Sequence, residues 1–181
     1  MHLLFIDVET TGLNPATNHI VQLAARLRLP DQVADLNTYI QPTNFEIPEP
    51  ARQIHRISTD CAANLGIPLP TALDALTPLV DLADAIVGHH VSFDVSFLIA
   101  EATRAGRPDL ATAIQSLPQI CTKQLSADYL HGQGQDNNRS ATKLTRMFEL
   151  LTQQPLADAH DAFTDVLACQ VLHQQLVGSA A

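Results

Sequence analysis

Asp7 and Glu9 stand two residues apart at the end of the apolar run Leu3-Leu-Phe-Ile-Asp-Val-Glu. Residues at i and i+2 of a strand share a face, so the two carboxylates converge. The run is apolar on both faces, as in a central strand. An unpartnered acid is costly there, and two converging ones point to a bound cation; a solvated acidic edge is the alternative. Asp94 interrupts the helical stripe Val91, Asp94, Val95, Leu98, Ala102 on its core side. Its acid could serve a site, or could answer the helix dipole for at most about 1 kcal/mol. His160, Asp161 and Asp165, with Asp158, are expected to open the last helix. Position alone does not choose between Asp161 and Asp165, and His160 is equally suited to capping.

Three segments together resemble a known family. Phe5-Ile-Asp-Val-Glu-Thr-Thr-Gly-Leu13, Val87-Gly-His-His-Val-Ser-Phe-Asp94 and His160-Asp-Ala-Phe-Thr-Asp165 are similar, in order and separation, to the three motifs of the DnaQ-like, or DEDDh, 3′-to-5′ exonucleases. The resemblance covers nearly the whole chain. It implies that the metal-binding acids are Asp7, Glu9, Asp94 and Asp165 and the catalytic histidine His160, which selects Asp165 over Asp161. The segment Ile54-His55-Arg56-Ile57 also resembles a family segment that usually has Gly at the place of Arg56, and His90 replaces a common Asn.

The implied chemistry is phosphodiester hydrolysis with two divalent ions, Mg²⁺ or Mn²⁺, which activate water and neutralise phosphate charge. By resemblance Asp7 bridges both ions, Glu9 and Asp165 complete the site that activates water, and Asp94 serves the other. His160 takes the water's proton, an imidazole titrating near neutral pH. The products are nucleoside 5′-monophosphates, released from the 3′ ends of single-stranded or frayed DNA. The Glu9-Thr10-Thr11-Gly12 and Gly88-His89-His90 wording is closer to the proofreading branch than to the small-RNA branch, which favours DNA over RNA and a DNA polymerase as partner. The rivals are an exoribonuclease on short RNA and a non-catalytic polymerase-associated module. The five filled catalytic positions oppose the second, because buried acids without a use destabilise a fold.

Residues that hold substrate are read more coarsely. Backbone amides at Thr10 and Thr11 are placed to meet a terminal 3′-hydroxyl, and Leu13 to wedge against the last base, unless it only packs its loop. His55 and His89 fall within resembling segments and join this set. Phe93 can stack on a base, although its spacing of four from Phe97 also suits core packing. Residues 137–148 contain Arg139, Lys143 and Arg146 and no acid, which suits phosphate contact or a solvated helix face.

These side chains need an α/β frame. Strands are expected at 3–8, 20–29 and 37–41 as an antiparallel meander, with shorter ones at Ala85–Gly88 and Gln119–Cys121. A Pro-rich loop leads to a small helix near 58–65. Longer helices are expected at 71–82, with Thr71 as N-cap, at 91–105, at 142–151 and at 158–177, with a loop at 132–140. Strands first, then strands alternating with helices, give an α/β domain with a mixed sheet of about five strands flanked by helices, and the family resemblance implies that this is the ribonuclease-H-like class.

The 181 residues suit one domain, read as 1–177 with a short tail at 178–181. Apolar residues make up 46% and charged ones 16%, which excludes a disordered chain. A net charge of −9 argues against broad adhesion to duplex nucleic acid or anionic membrane, while remaining compatible with a carboxylate-rich metal site. Cys61, Cys121 and Cys169 form no disulfide or zinc pattern, which suits the cytoplasm. No secretory signal and no membrane span is expected.

Overall fold

The computed structural model describes residues 1–178; of the expected tail, residues 179–181 lie outside them. Strands β1 (Leu3–Thr10), β2 (Ile20–Arg28) and β3 (Val33–Tyr39) form the antiparallel meander. Next come helices α1 (Glu49–His55), α2 (Thr59–Leu65) and α3 (Leu69–Leu82), then strand β4 (Ala85–Gly88) and helix α4 (Val91–Arg104). Helix α5 (Pro108–Ser116), strand β5 (Gln119–Cys121) and helices α6 (Thr122–Gly132), α7 (Leu144–Thr152) and α8 (Ala162–Gly178) complete the described chain. The five strands form one mixed sheet in the order β3-β2-β1-β4-β5, with β4 and β5 parallel to β1.

Strand β1 is central, as its two-sided apolar character requires. Its even residues Leu4, Ile6 and Val8 pack with Leu73 and Leu76 of α3, Leu98 of α4 and Ile114 of α5. Its odd residues Leu3 and Phe5 pack with Ala162, Val166 and Cys169 of α8. Leu4, Phe5 and Ile6 are wholly buried, and each such side chain contributes about 1.5–3 kcal/mol. By the same alternation Asp7 and Glu9 extend the face that α8 covers. A further cluster of Leu130, Met147, Leu172 and Leu176 fastens α6 and α7 to α8.

Several expectations change. Strand β3 ends at Tyr39 rather than Gln41 and begins at Val33, directly after the Pro30-Asp31 turn; its alternating exposure marks it as a polar edge strand. The Pro-rich stretch starts a helix, because Pro50 lies in the first turn of α1, where a missing N–H costs nothing. Helix α3 begins before Thr71 for the same reason, with Pro68 at its N-cap position and Pro70 in its first turn. Helices α5 and α6 are additional to the expected set. Helix α8 starts at Ala162, not Asp158, since Asp158 and His160 have positive φ and form a turn ahead of it.

Candidate active site

The two acids of β1 lie where its pairing runs out. Strand β4 matches β1 only from Leu3 to Phe5, so the Val8 N–H lies beyond the reach of the short strand. Asp94, near the start of α4 and 3% exposed, fills that gap, its Oδ1 accepting from Val8 N–H at 3.1 Å. On the other side Asp7 opposes Ala24 and Glu9 opposes Gln22, and a register shift follows between Glu9 and Thr10. Such bulges re-aim side chains at the ends of pairing.

Helix α8 brings the third motif to this edge. Asp165 sits in its first turn, with Oδ2 accepting from the His160 backbone N–H at 3.3 Å and Oδ1 buried without a partner. One ligand atom each from Glu9, His160 and Asp165 lies within 4.8 Å of the other two, a grouping suited to a cation. The carboxyls answer this crowding. Burial, then the charges of Asp94, Asp165 and Glu9, raises Asp7 well above the ordinary range. Burial and the Asp165 and Asp94 charges raise Glu9 to about 8. Asp94 is raised to about 8, chiefly by burial and against the pull of the Val8 N–H, and Asp165 to about 6 by burial. A buried oxygen with no proton donor and four acids that resist ionising together fit a divalent cation.

Asp161 takes a different part. Its Oδ1 accepts from Thr164 N–H at 3.0 Å, an N-cap of α8, and its Oδ2 accepts from the Gln22 amide at 2.9 Å. Hydrogen bonds to its charged form hold its carboxyl below the usual value, after the opposing effect of burial. His160 is exposed and has φ 70°, so it belongs to the preceding turn rather than to the helix.

A cleft of about 460 Å³ opens from Asp7, His160 and Asp165 to a basic wall of Lys123, Arg139 and Lys143. None of these three cations makes an ion pair among the described residues. Lys123 escapes the sequence reading because it rides on α6, whose Leu125, Tyr129 and Leu130 are too few to announce a helix. Arg139 lies in a turn built by Asn138, whose Oδ1 accepts from Ser140 and Ala141 N–H. His89 lines the cleft, but both ring nitrogens are engaged, Nδ1 with the Thr122 hydroxyl at 3.0 Å and Nε2 with the Thr142 carbonyl at 2.9 Å. Burial drives its pKa to about 4. It braces the segment carrying Lys143, and neither ring nitrogen is left free for a substrate hydrogen bond. His90 has φ 78°, a left-handed conformation that Asn and His adopt more readily than most residues.

On the opposite side of Glu9 a second cleft, of about 480 Å³, is lined by Glu9, Leu13, Pro50, Ile54, His55 and Phe93, among others. Leu13 is 85% exposed, so loop packing does not account for it. Ile54, 56% exposed, faces the same space; the sequence does not announce it, because the prolines around α1 suggest a loop. Phe93 is half-buried and lies against both Phe97 and His90, joining the core while one side meets the cleft. His55 is buried, its Nδ1 accepting from Ile57 N–H at 3.1 Å while Nε2 has no partner. Thr10 and Thr11 spend their hydroxyls within the turn, on the Gly12 carbonyl and the His19 N–H. The Thr11 amide already donates to the His19 carbonyl at 2.9 Å, so it is not free for a 3′-hydroxyl.

Comparison with known proteins agrees with this arrangement. No curated protein matches the sequence. Among solved structures, the zinc-bound Escherichia coli exonuclease I in complex with single-stranded DNA superimposes with a TM-score of 0.81 at 21% identity, covering 98% of this chain and 40% of the other. A structure of exonuclease I described as suggesting how processivity is achieved gives the same TM-score and identity, covering 98% and 41%. The product-bound form of exonuclease I gives a TM-score of 0.77 at 21% identity, covering 98% and 43%. The chain therefore spans about two fifths of the length of these proteins and shares with them the ribonuclease-H-like fold. The sequence matches the RNase_T family, described as exonuclease, over residues 4–171. With that match spanning all three motifs, the chain belongs to this exonuclease family of the DnaQ-like superfamily.

Proposed function

We propose that this protein is a metal-dependent 3′-to-5′ exonuclease acting on single-stranded DNA, with residues 1–177 as one catalytic domain. The observation that carries this reading is the meeting of Glu9, His160 and the unpartnered Asp165 oxygen at the edge of a cleft with a basic far wall. Asp7, Glu9, Asp94 and Asp165 are the proposed ligands of two Mg²⁺ or Mn²⁺ ions. Such ions, when bound, lower the pKa of a water and offset phosphate charge.

The chain's own residues then divide the work. His160 accepts a proton from the water whose oxygen bonds to phosphorus, and the bond from phosphorus to the 3′-oxygen of the preceding nucleotide breaks. The departing 3′-oxygen takes a proton from solvent, so the strand keeps a 3′-hydroxyl, and the terminal nucleotide leaves as its 5′-monophosphate. Lys123, Arg139 and Lys143 attract phosphates of the strand. Leu13, Ile54 and Phe93 offer apolar surface to the terminal base, and the buried His55 lines the same cleft. The Thr10-Thr11 turn shapes that pocket. Single-stranded DNA as substrate draws support from the exonuclease I complex, and DNA over RNA and a polymerase partner from the proofreading-like motif wording. Three free cysteines favour a reducing cytoplasm, and no described helix is long and apolar enough to cross a membrane.

The test uses 5′-labelled single-stranded DNA and RNA of equal sequence with Mg²⁺, Mn²⁺ or EDTA. Shortening from the 3′ end with release of 5′-monophosphates, faster on DNA and absent in EDTA, is the expected result. Asp7→Ala is expected to abolish shortening while the DNA still binds. A purified Asp7→Ala protein retaining about a tenth of wild-type turnover would overturn the two-ion assignment.

A further inference from the structure

Gln22 is a polar side chain at 2% exposure, directly across the β1–β2 ladder from Glu9. Its amide nitrogen donates to Asp161 Oδ2 at 2.9 Å and to Asn37 Oδ1 at 3.1 Å. Its oxygen accepts from the Ala162 N–H at 3.2 Å. A single amide thus ties β2 and β3 to the two residues that follow His160.

The His160 turn needs such a tie. His160 stands at φ 70° and Asp158 at φ 51°, left-handed conformations that residues other than glycine keep only where the surroundings over-determine them. The turn's other hydrogen bonds are local: His160 N–H to Asp165, Asp161 N–H to the Asp158 carbonyl, Thr164 N–H to the Asp161 cap, and Asp165 N–H to the Asp161 carbonyl. They fix the turn to α8. Among the described hydrogen bonds, those of Gln22 are the ones that fix it to the sheet, where Asp7 and Glu9 reside.

We infer that Gln22 is a positioning residue for the reaction proposed above, on which this inference rests: it holds the His160 turn against the sheet, so that the imidazole stands beside Glu9 at the reacting phosphate. An amide suits this place because it meets a carboxylate acceptor at one end and an N–H donor at the other. Glutamate would set a carboxylate against Asp161 and Glu9. Leucine would fill the space and make neither bond. Exchanging the two groups, Gln22→Glu together with Asp161→Asn, restores the bonds to the turn, with the Asn37 amide turned over to donate to position 22, while the new carboxylate still stands across from Glu9. The amide now at position 161 can donate to the carboxylate at position 22 while its oxygen still caps α8, and that carboxylate still accepts from the Ala162 N–H.

The test measures steady-state cleavage of 5′-labelled single-stranded DNA in Mn²⁺, with melting temperatures alongside. Misplacing a catalytic group by about 1 Å costs on the order of 10²-fold, so Gln22→Leu is expected to lower kcat by about 10- to 100-fold, with KM changed less than about twofold. In a His160→Ala background the same substitution is expected to cost nothing more, because the group it positions is gone. The double variant Gln22→Glu/Asp161→Asn is expected to recover part of the kcat that Gln22→Glu alone loses, since the bonds to the turn return while the carboxylate across from Glu9 stays, and it carries the test if Gln22→Leu fails to fold. An active wild type with a Gln22→Leu variant of unchanged kcat, an equal further loss in the His160→Ala background, or no recovery on exchange overturns the inference alone. A wild type that never shortens the strand overturns the proposed exonuclease reading, and this inference with it.

Discussion

At the scale of single residues, backbone conformation explains two departures from the family's wording. Arg56 stands where Gly is usual, and it is the left-handed C-cap of α1 at φ 63°. Glycine holds such a position without steric cost, whereas Arg56 bears some strain there. His90 stands where Asn is common and is the left-handed residue that starts α4, supplying no side-chain cap. In both cases the geometry survives the substitution. His160 shares this left-handed conformation, yet its side chain faces open cleft, as a base that must reach a water requires. Replacing His160 with Ala is expected to lower turnover by roughly 10²- to 10⁴-fold, the usual contribution of a general base. A purified His160→Ala protein that keeps about a tenth or more of wild-type turnover would mean that another group takes the proton.

At the scale of elements, the cleft depends on helices that contribute opposite charges. Strand β1 and helix α8 supply the acids, while α6 and the turn before α7 supply Lys123, Arg139 and Lys143. Arg139→Ala with Lys143→Ala is therefore expected to raise KM for oligonucleotides and to flatten the dependence of binding on salt, each lost phosphate contact taking about 0.7 from the logarithmic slope. Hydrolysis of a small nitrophenyl ester of thymidine monophosphate should be unaffected; equal losses on both substrates would mean that the acids themselves had moved. This division also explains what the sequence reveals. Asp7, Glu9 and Asp94 are legible because each breaks an apolar pattern in β1 or α4, and Asp165 and His160 only through resemblance, since a short acidic run looks the same whether it caps a helix or binds a metal. The basic wall is half legible. Arg139 and Lys143 stand in an acid-free window, whereas Lys123 rides on a helix whose buried face is mostly Thr122, Ser126 and Leu130. Gln22 gives no signal at all, because a glutamine between apolar neighbours shows its use only when strand register sets it across from Glu9 and beside Asp161.

At the scale of the whole molecule, a site built from crowded carboxyls weakens the fold that builds it. Asp7, Glu9, Asp94 and Asp165 all hold protons more tightly in the folded state than in the unfolded chain. The stability they contribute is complete below the unfolded value near 4 and is lost as pH rises through the folded values, about 6 for Asp165 and about 8 for Glu9 and Asp94. Buried histidines act in the opposite sense. His89, held down to about 4, adds stability as pH rises from there to the ordinary histidine value, and the lowered His55 and His173 do the same over a narrower span. That gain still has half its slope at the ordinary histidine value near 6.5 and is complete about one unit above it. The interval from about 7.5 to 8.5 thus isolates the carboxyls, and in EDTA the stability is expected to fall across it by at most about 1.4 kcal/mol per pH unit for each carboxyl still protonated only in the fold, and the melting temperature with it. Mn²⁺ should reverse the trend, because a cation favours the ionised acids, and at a hundredfold excess over Kd it stabilises the folded state by about 2.7 kcal/mol. Asp7→Asn removes one of the four competing acids. At about pH 8 in EDTA it should melt at or above the wild type, and in Mn²⁺ it should gain much less. Acids serving only as surface charges or helix-dipole partners would give wild type and Asp7→Asn the same response to metal and no relief in EDTA. Superimposable shifts of the two proteins across a Mn²⁺ titration would remove the metal site, and the proposed hydrolysis with it.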